Sequence, residues 1–212
     1  MARSTNREDH LKALYSLGEE RGGDDAWVST NEMAVALGVK APSVTNMVQV
    51  LQELGWAEHR PYRGARLTPL GRELAVGLVR KHRLWETFLV EQLGFGWEQV
   101  HDIAEQMEHI DCPELVDRLD AFLGRPKVDP HGDPIPDAAG NIEDNRELTV
   151  PLPEGFGHPV VVKAVLDDSH ETLSALDAHG VSIGVSLSPE ALRALPATLR
   201  DVLLVSQNPS QT

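Results

Sequence analysis

Ser29-Thr30-Asn31-Glu32-Met33-Ala34-Val35-Ala36-Leu37-Gly38-Val39-Lys40-Ala41-Pro42-Ser43-Val44-Thr45-Asn46-Met47 is the stretch on which the fold turns. Ser29 and Thr30 offer a helix N-cap, with Glu32 inside the first turn; Met33, Ala34 and Leu37 follow at helical spacing and Gly38 closes the short helix. Ala41-Pro42 opens a second helix, because a proline in the first turn forfeits no helical hydrogen bond, and Val44, Met47, Val48, Leu51 and Leu54 carry it to Gly55. Two helices across the tight turn Gly38-Val39 make a helix-turn-helix. Next, Trp56-Ala57-Glu58-His59-Arg60 and Ala65-Arg66-Leu67-Thr68 read as two short strands around the tip Pro61-Tyr62-Arg63-Gly64, which is a wing.

This arrangement points to double-stranded DNA. Lys40, Pro42, Ser43, Thr45 and Asn46 stand at the start of the second helix, where a major-groove reader presents its side chains. Arg60, Arg63 and Arg66 gather positive charge on the wing. The plainer alternative is a small helical domain with an ordinary hairpin and solvated arginines. Upstream, Leu11, Leu14, Tyr15 and Leu17 recur at helical spacing and predict a first helix ending near Arg21-Gly22-Gly23.

Downstream, Pro69 to Leu93 reads as a long helix whose apolar residues Leu74, Leu78, Val79, Leu84, Trp85, Phe88 and Leu89 form a face wide enough for a second chain. Further helices are expected over about 99–110 and from Pro113 to near Gly124. Residues 125–147 are rich in Pro, Gly and Asp and read as a linker. Strands are expected at 148–152, 160–166 and 181–187, with a short helix at 171–179. The fold class is therefore mainly α with a small β domain. The expected domains are a winged helix-turn-helix over 1–70, a helical domain over 71–124, the linker, and a small β domain over 148–212.

Composition limits the function. The 212 residues carry 19 basic and 33 acidic side chains, a net charge of -14 that argues at first sight against a nucleic-acid partner. Residues 1–95, however, hold 12 of each sign, so the whole deficit lies in the second half. One cysteine, Cys112, excludes an intramolecular disulfide and fits a reducing compartment. No secretory leader or run near 20 apolar residues stands out, so a cytoplasmic protein without membrane contact is expected.

The chemistry concentrates in His101-Asp102-Ile103-Ala104-Glu105-Gln106-Met107-Glu108-His109. At roughly 100° per residue, His101, Glu105, Glu108 and His109 share one helical face. Carboxylates set side by side repel unless a cation joins them, so a divalent metal turns this face into a binding site. His82 and Glu86, at i and i+4 on the long helix, and Asp9 on the first helix extend the donor set. A merely solvated polar face is the plain alternative. A hydrolytic metalloenzyme is the rival of another class, but HExxH, GxSxG and P-loop signatures are absent.

The order Asp9, helix-turn-helix and wing, Arg80-Lys81-His82-Arg83-Leu84-Trp85-Glu86, Val100-His101-Asp102, Glu105, Glu108-His109 and Gly132-Asp133-Pro134-Ile135-Pro136 resembles the diphtheria-toxin-repressor and manganese-transport-regulator family. The resemblance spans about residues 6–140 and, more loosely, the last 60 or so, which look like that family's SH3-like domain. It implies a homodimeric, metal-activated transcriptional repressor of metal-homeostasis genes on a palindromic operator. Its primary site would use Asp9, Glu105, Glu108 and His109, and its ancillary site His82, Glu86 and His101. The C-terminal domain would add Asp168 and Glu171, or His170 if the register slips. Members that answer to manganese carry the Asp9 and Glu105 pair, where iron-type members carry Met and Cys. Mn(II) is therefore the expected ion, with an Fe(II)-responsive regulator as the alternative and other divalent transition metals binding in vitro. A winged-helix regulator of a non-metal effector is the further rival. Lys12 departs from the manganese pattern, which has Glu there, and leaves that pattern's paired-metal arrangement open.

Overall fold

Helix α1 (Thr5–Glu20) leads the chain and buries Leu11, Leu14 and Tyr15. The computed structural model describes residues 5–23, 25–143, 149–152 and 157–206. They fall into two units. The first holds the described residues up to Lys81 together with Glu108–Asp111; the second holds His82–Met107 and the chain from Cys112 onward.

In the first unit, α2 (Thr30–Ala36) starts at Ser29, whose hydroxyl accepts from the Glu32 amide while Glu32 reaches back to the Ser29 amide. This reciprocal cap satisfies two helix-end donors at once. Pro42 sits in the first turn of α3 (Ala41–Glu53), as its fixed backbone allows, and Val44, Val48 and Leu51 are buried. Strands β1 (Ala57–Arg60) and β2 (Gly64–Leu67) pair antiparallel with Glu58 opposite Arg66, forming the wing. α1 packs against α2, α3 and β2, so it is the brace behind the whole reading head.

α4 (Pro69–Leu93) runs from the first unit into the second. There α5 (His101–Met107) follows a 3-10 turn at Trp97–Gln99, and α6 (Pro113–Phe122) follows Cys112. Leu84, Trp85, Ala104, Leu119 and Ile135 form one core. Phe122, its ring tilted 58° against Phe88 at 6.3 Å between centroids, stays 65% exposed, an apolar side chain of the kind that a second chain covers.

A four-stranded sheet in the order β3 (Thr149–Pro151), β6 (Leu203–Ser206), β4 (Val160–Val165), β5 (Ser186–Leu187) carries the second core with α7 (His170–Ala178), α8 (Pro189–Ala194) and α9 (Ala197–Arg200). All its pairings are antiparallel.

Three expectations change. The helix expected to reach 110 ends at Met107, so Glu108 and His109 leave the face they were expected to share. Pro113 and the extended backbone of Cys112 lie just beyond and stop α5 from running on into α6. The strand expected at 181–187 shrinks to Ser186–Leu187, because Gly184 adopts a positive φ of 85° and turns the chain. The segment read as a linker is packed over 128–136: Asp129, His131 and Ile135 are buried and Val128 bridges Pro134. Gly132 lies so close to β4 that a Cβ there would sit 2.1 Å from the Lys163 carbonyl oxygen. Residues 144–147 of the expected linker and Leu148 of the expected first strand lie outside the described residues. α8, α9 and β6 were not anticipated from the sequence.

Candidate metal centre

The donors gather into separate groups. In the first unit, Asp9 comes from α1, and Glu108 and His109 from the turn after α5; their ligand atoms lie within 4.8 Å of one another. His109 Nε2 is 3.2 Å from Asp9 Oδ1, and its Nδ1 is 2.7 Å from Glu8 Oε2. A carboxylate cannot donate, so His109 Nδ1–H donates to Glu8 and its Nε2 is turned toward Asp9. Glu8 is buried, and nothing but its place beside Asp9 on α1 marks it in the sequence. Lys12, one turn along α1, donates to Glu108 Oε2 at 2.7 Å. The Glu108 carboxylate is fully buried, and the ammonium supplies its counter-charge.

In the second unit, His82 Nε2 and Glu86 Oε1 are 2.9 Å apart across one turn of α4. His101, at the start of α5, sets its Nδ1 3.6 Å from the same Oε1, with its ring edge-on to His82 at 4.9 Å between centroids. Among the described residues that Nδ1 is buried without a hydrogen-bond partner, and with two imidazoles and a carboxylate converging the donor set fits a transition-metal ion. Glu105, expected in the first group, lies 3.6 Å from His101 Nε2 instead.

A third grouping was missed from the sequence: Glu86, Asp129 and His131, all buried. His131 Nε2–H donates to the Trp97 carbonyl at 2.9 Å, which leaves Nδ1 facing Glu86 Oε2 at 3.6 Å. Arg83 holds the loop in place, donating to the Pro134 carbonyl and lying 3.5 Å from Asp129 and 3.3 Å from Asp133. Glu86 is thus a hub, one oxygen toward His82 and His101 and the other toward His131. The sequence signal was present in Asp129-Pro130-His131-Gly132, but the Pro and Gly content pointed to a linker.

The electrostatics follow from that hub. Burial alone would raise the Glu86 carboxyl, but contacts from His101, His131 and His82 hold it well below the usual carboxylate range. Glu105 and then Glu86 push His101 up to about 10 against the opposing effect of burial. His131 reaches about 9 because Glu86 and Asp129 outweigh its burial. Burial, with Glu86 and Asp133 nearby, lifts Asp129 to about 7 despite Arg83 and His131.

Of the C-terminal candidates, Asp168 lies 3.9 Å from His101 Nδ1. His170 Nδ1–H is spent on the Glu98 carbonyl at 2.7 Å, and Glu171 is exposed in the first turn of α7.

On the reading head, Lys40, Pro42, Ser43 and Asn46 are exposed at the start of α3, while the Thr45 hydroxyl donates to the Ala41 carbonyl. Arg60 and Arg63 are exposed; Arg66 is tied to Glu58 and Asp25. No helix among the described residues is long and apolar enough to cross a membrane.

The chain matches two family descriptions: "Iron dependent repressor, N-terminal DNA binding domain" over residues 3–65, and "Iron dependent repressor, metal binding and dimerisation domain" over 68–137. It is similar to the diphtheria toxin repressor of Corynebacterium efficiens, 30% identical over 189 residues, which cover 85% of this chain and 80% of that protein. It is 36% identical over 112 residues to the HTH-type transcriptional regulator MntR of Lysinibacillus sphaericus, covering 53% and 77% of the two chains. Among solved structures, a manganese-dependent transcriptional repressor in complex with manganese superposes with a TM-score of 0.77 at 29% identity, covering 94% of this chain and 99% of that one.

Proposed function

The chain belongs to the iron-dependent repressor family and is a metal-dependent DNA-binding repressor, and from that premise we propose that Mn(II) is the ion that switches its binding to DNA. The chemistry of the first group supports this reading: two carboxylates and an imidazole make a hard, oxygen-rich donor set. The one cysteine, Cys112, is exposed and belongs to none of the groups. Mn(II) is the weakest binder of the divalent series, so Co(II), Ni(II) and Zn(II) are expected to occupy the same donors in vitro. Fe(II) is the second reading, favoured by the nitrogen-rich set His82, Glu86 and His101. Glu105 is carried as a ligand by the resemblance alone.

The observation that carries the proposal is that Asp9 stands on α1, the helix packed against α2, α3 and β2. When bound, the ion supplies the divalent charge that draws Asp9, Glu108 and His109 together. Glu8 holds the His109 ring in its ligand orientation, and Lys12 holds the Glu108 carboxylate in place. Because the Lys12 ammonium occupies one Glu108 oxygen, the first group is read as a site for one ion rather than two. Fixing α1 fixes the reading head, and a homodimer then presents two α3 helices about one DNA turn apart to a palindromic operator. Lys40, Pro42, Ser43, Thr45 and Asn46 are the proposed groove contacts, and Arg60 and Arg63 the main proposed phosphate contacts, with Arg66, already paired with Glu58 and Asp25, a lesser one.

The test is a titration of the full chain with Mn(II), using DNA selected from a random pool by the loaded protein and read by fluorescence anisotropy. Binding that rises with Mn(II) and collapses with chelator is expected. Binding indifferent to both overturns the proposal.

A further inference from the structure

We propose that Trp27 is the positioning residue of the wing, holding Arg60 and Arg63 extended as a two-pronged clamp for DNA phosphate; this rests on the DNA-binding reading above. Trp27 lies before α2, outside both the helix-turn-helix and the hairpin. Yet the guanidinium carbons of Arg60, Arg63 and Arg66 lie 4.9, 4.7 and 5.2 Å from its ring centroid. All three are within cation–π range of one indole.

The backbone explains how the ring gets there. Val28 and Ala65 exchange both of their backbone hydrogen bonds, each at 2.8 Å, which lays residues 27–28 alongside β2 as an added edge. With Val28 opposite Ala65, Trp27 falls opposite Arg66, and Arg66 is paired in turn with Glu58 on β1. Trp27, Arg66 and Glu58 therefore line one face of the wing, as does Arg60, two residues beyond Glu58. The approach is close enough to demand Gly64, where a Cβ would sit 2.0 Å from the Val28 carbonyl oxygen.

The three arginines are not equivalent. Arg66 is neutralised by Glu58 and Asp25 and anchors the face. Among the described residues, neither Arg60 nor Arg63 meets a carboxylate, and both are exposed. A planar guanidinium resting on an aromatic face keeps its in-plane N–H groups available for phosphate oxygens. Two flexible side chains so held lose less freedom when they bind.

The experiment is a double-mutant cycle in the full, Mn(II)-loaded chain, with Trp27→Leu, Arg63→Ala and the pair, read as DNA affinity by anisotropy. Losing both stacked contacts is expected to weaken binding by about 5- to 30-fold, and Arg63→Ala is expected to cost much less in the Trp27→Leu background than in the parent. Trp27→Phe, which keeps an aromatic face, should restore most of the affinity. Arg60→Lys with Arg63→Lys tests the same contact with Trp27 in place: charge is kept, the planar stack is lost, and affinity should fall. Additive single effects, or parental affinity in both Trp27→Leu and the double lysine variant, overturn the proposal. Failure of the parent itself to bind DNA with Mn(II) would instead overturn the reading beneath it.

Discussion

The donor group on α1 and the two groups that share Glu86, taken together as the second, differ in what already holds them. In the first, each outer ligand has a partner of its own: Glu8 aims His109, and Lys12 neutralises Glu108. In the second, everything converges on Glu86, which meets His82, His101 and His131 at once. The first is oxygen-rich and sits on the helix that braces the reading head; the second is nitrogen-rich and lies inside the unit that carries the sheet. A ligand acts as a switch only through a difference in its interaction with two states. On the proposed reading the first group would supply that difference to α1, whereas the second, whose donors all lie in the other unit, would act within that unit.

The largest effect that would break this contrast is expected at the hub. Replacing Glu86 by Gln strands the charged His131 in a buried setting and takes a carboxylate from the more exposed His101, a loss on the order of 3–5 kcal/mol for the broken buried pair with His131. Urea unfolding of the metal-free variant at neutral pH measures it; an unchanged midpoint would show that Glu86 is no hub. The corresponding change in the first group is smaller and of another kind. Glu8→Gln should weaken Mn(II) binding there by about 10- to 100-fold, the usual cost of removing a partner that orients a ligating histidine. Calorimetry should find this with the unfolding midpoint nearly unmoved.

pH sharpens the comparison further. His101 and His131 are raised above 6.5, to about 10 and about 9, so the metal-free fold holds protons that the unfolded chain releases. The stability they contribute is fully present below pH 6.5 and is lost as pH rises through 9 to 10. Asp129, lifted to about 7, acts in the same direction between its ordinary range and neutrality. Metal binding would run the opposite way, because an imidazole of these groups would have to give up its proton before it could ligate. The thermal stability of the metal-free chain should therefore fall from pH 7 to 10 while metal affinity at the second group climbs. Calorimetry in buffers of different ionisation enthalpy should find proton release on metal binding there. The smallest effect expected is on the wing. Arg66→Gln removes an arginine already paired with Glu58 and Asp25, and should lower DNA affinity less than Arg63→Ala does.

Much of the reading head was legible because local chemistry sets it: the Ser29 cap, Gly38 after α2, Pro42 in the first turn of α3 and the turn at 61–64 each have one sensible backbone use. The partition of the donors was not legible. It depends on α5 ending at Met107: Glu105 stays on the helix one turn from His101, while Glu108 and His109 leave it and group with Asp9 of α1. Helical periodicity specifies which residues share a face and not where the helix stops. Asp129 and His131 were hidden because Pro130 and Gly132 look like linker residues, when they fold a tight loop pinned by Arg83 and Ile135. Trp27 and Glu8 carried no signal at all, since their partners are remote in sequence: Arg60 and Arg63 for one, His109 for the other.

The most direct measurement compares His109→Ala with His101→Ala in the Mn(II)-dependent anisotropy titration on DNA. His109→Ala is expected to flatten the response, removing a coupling of roughly 5- to 150-fold in DNA affinity. His101→Ala is expected to keep most of the response while binding less metal in total. A His109→Ala chain that still answers to Mn(II) as the parent does, or a His101→Ala chain that no longer answers, would contradict the assignment of the switch to the group on α1.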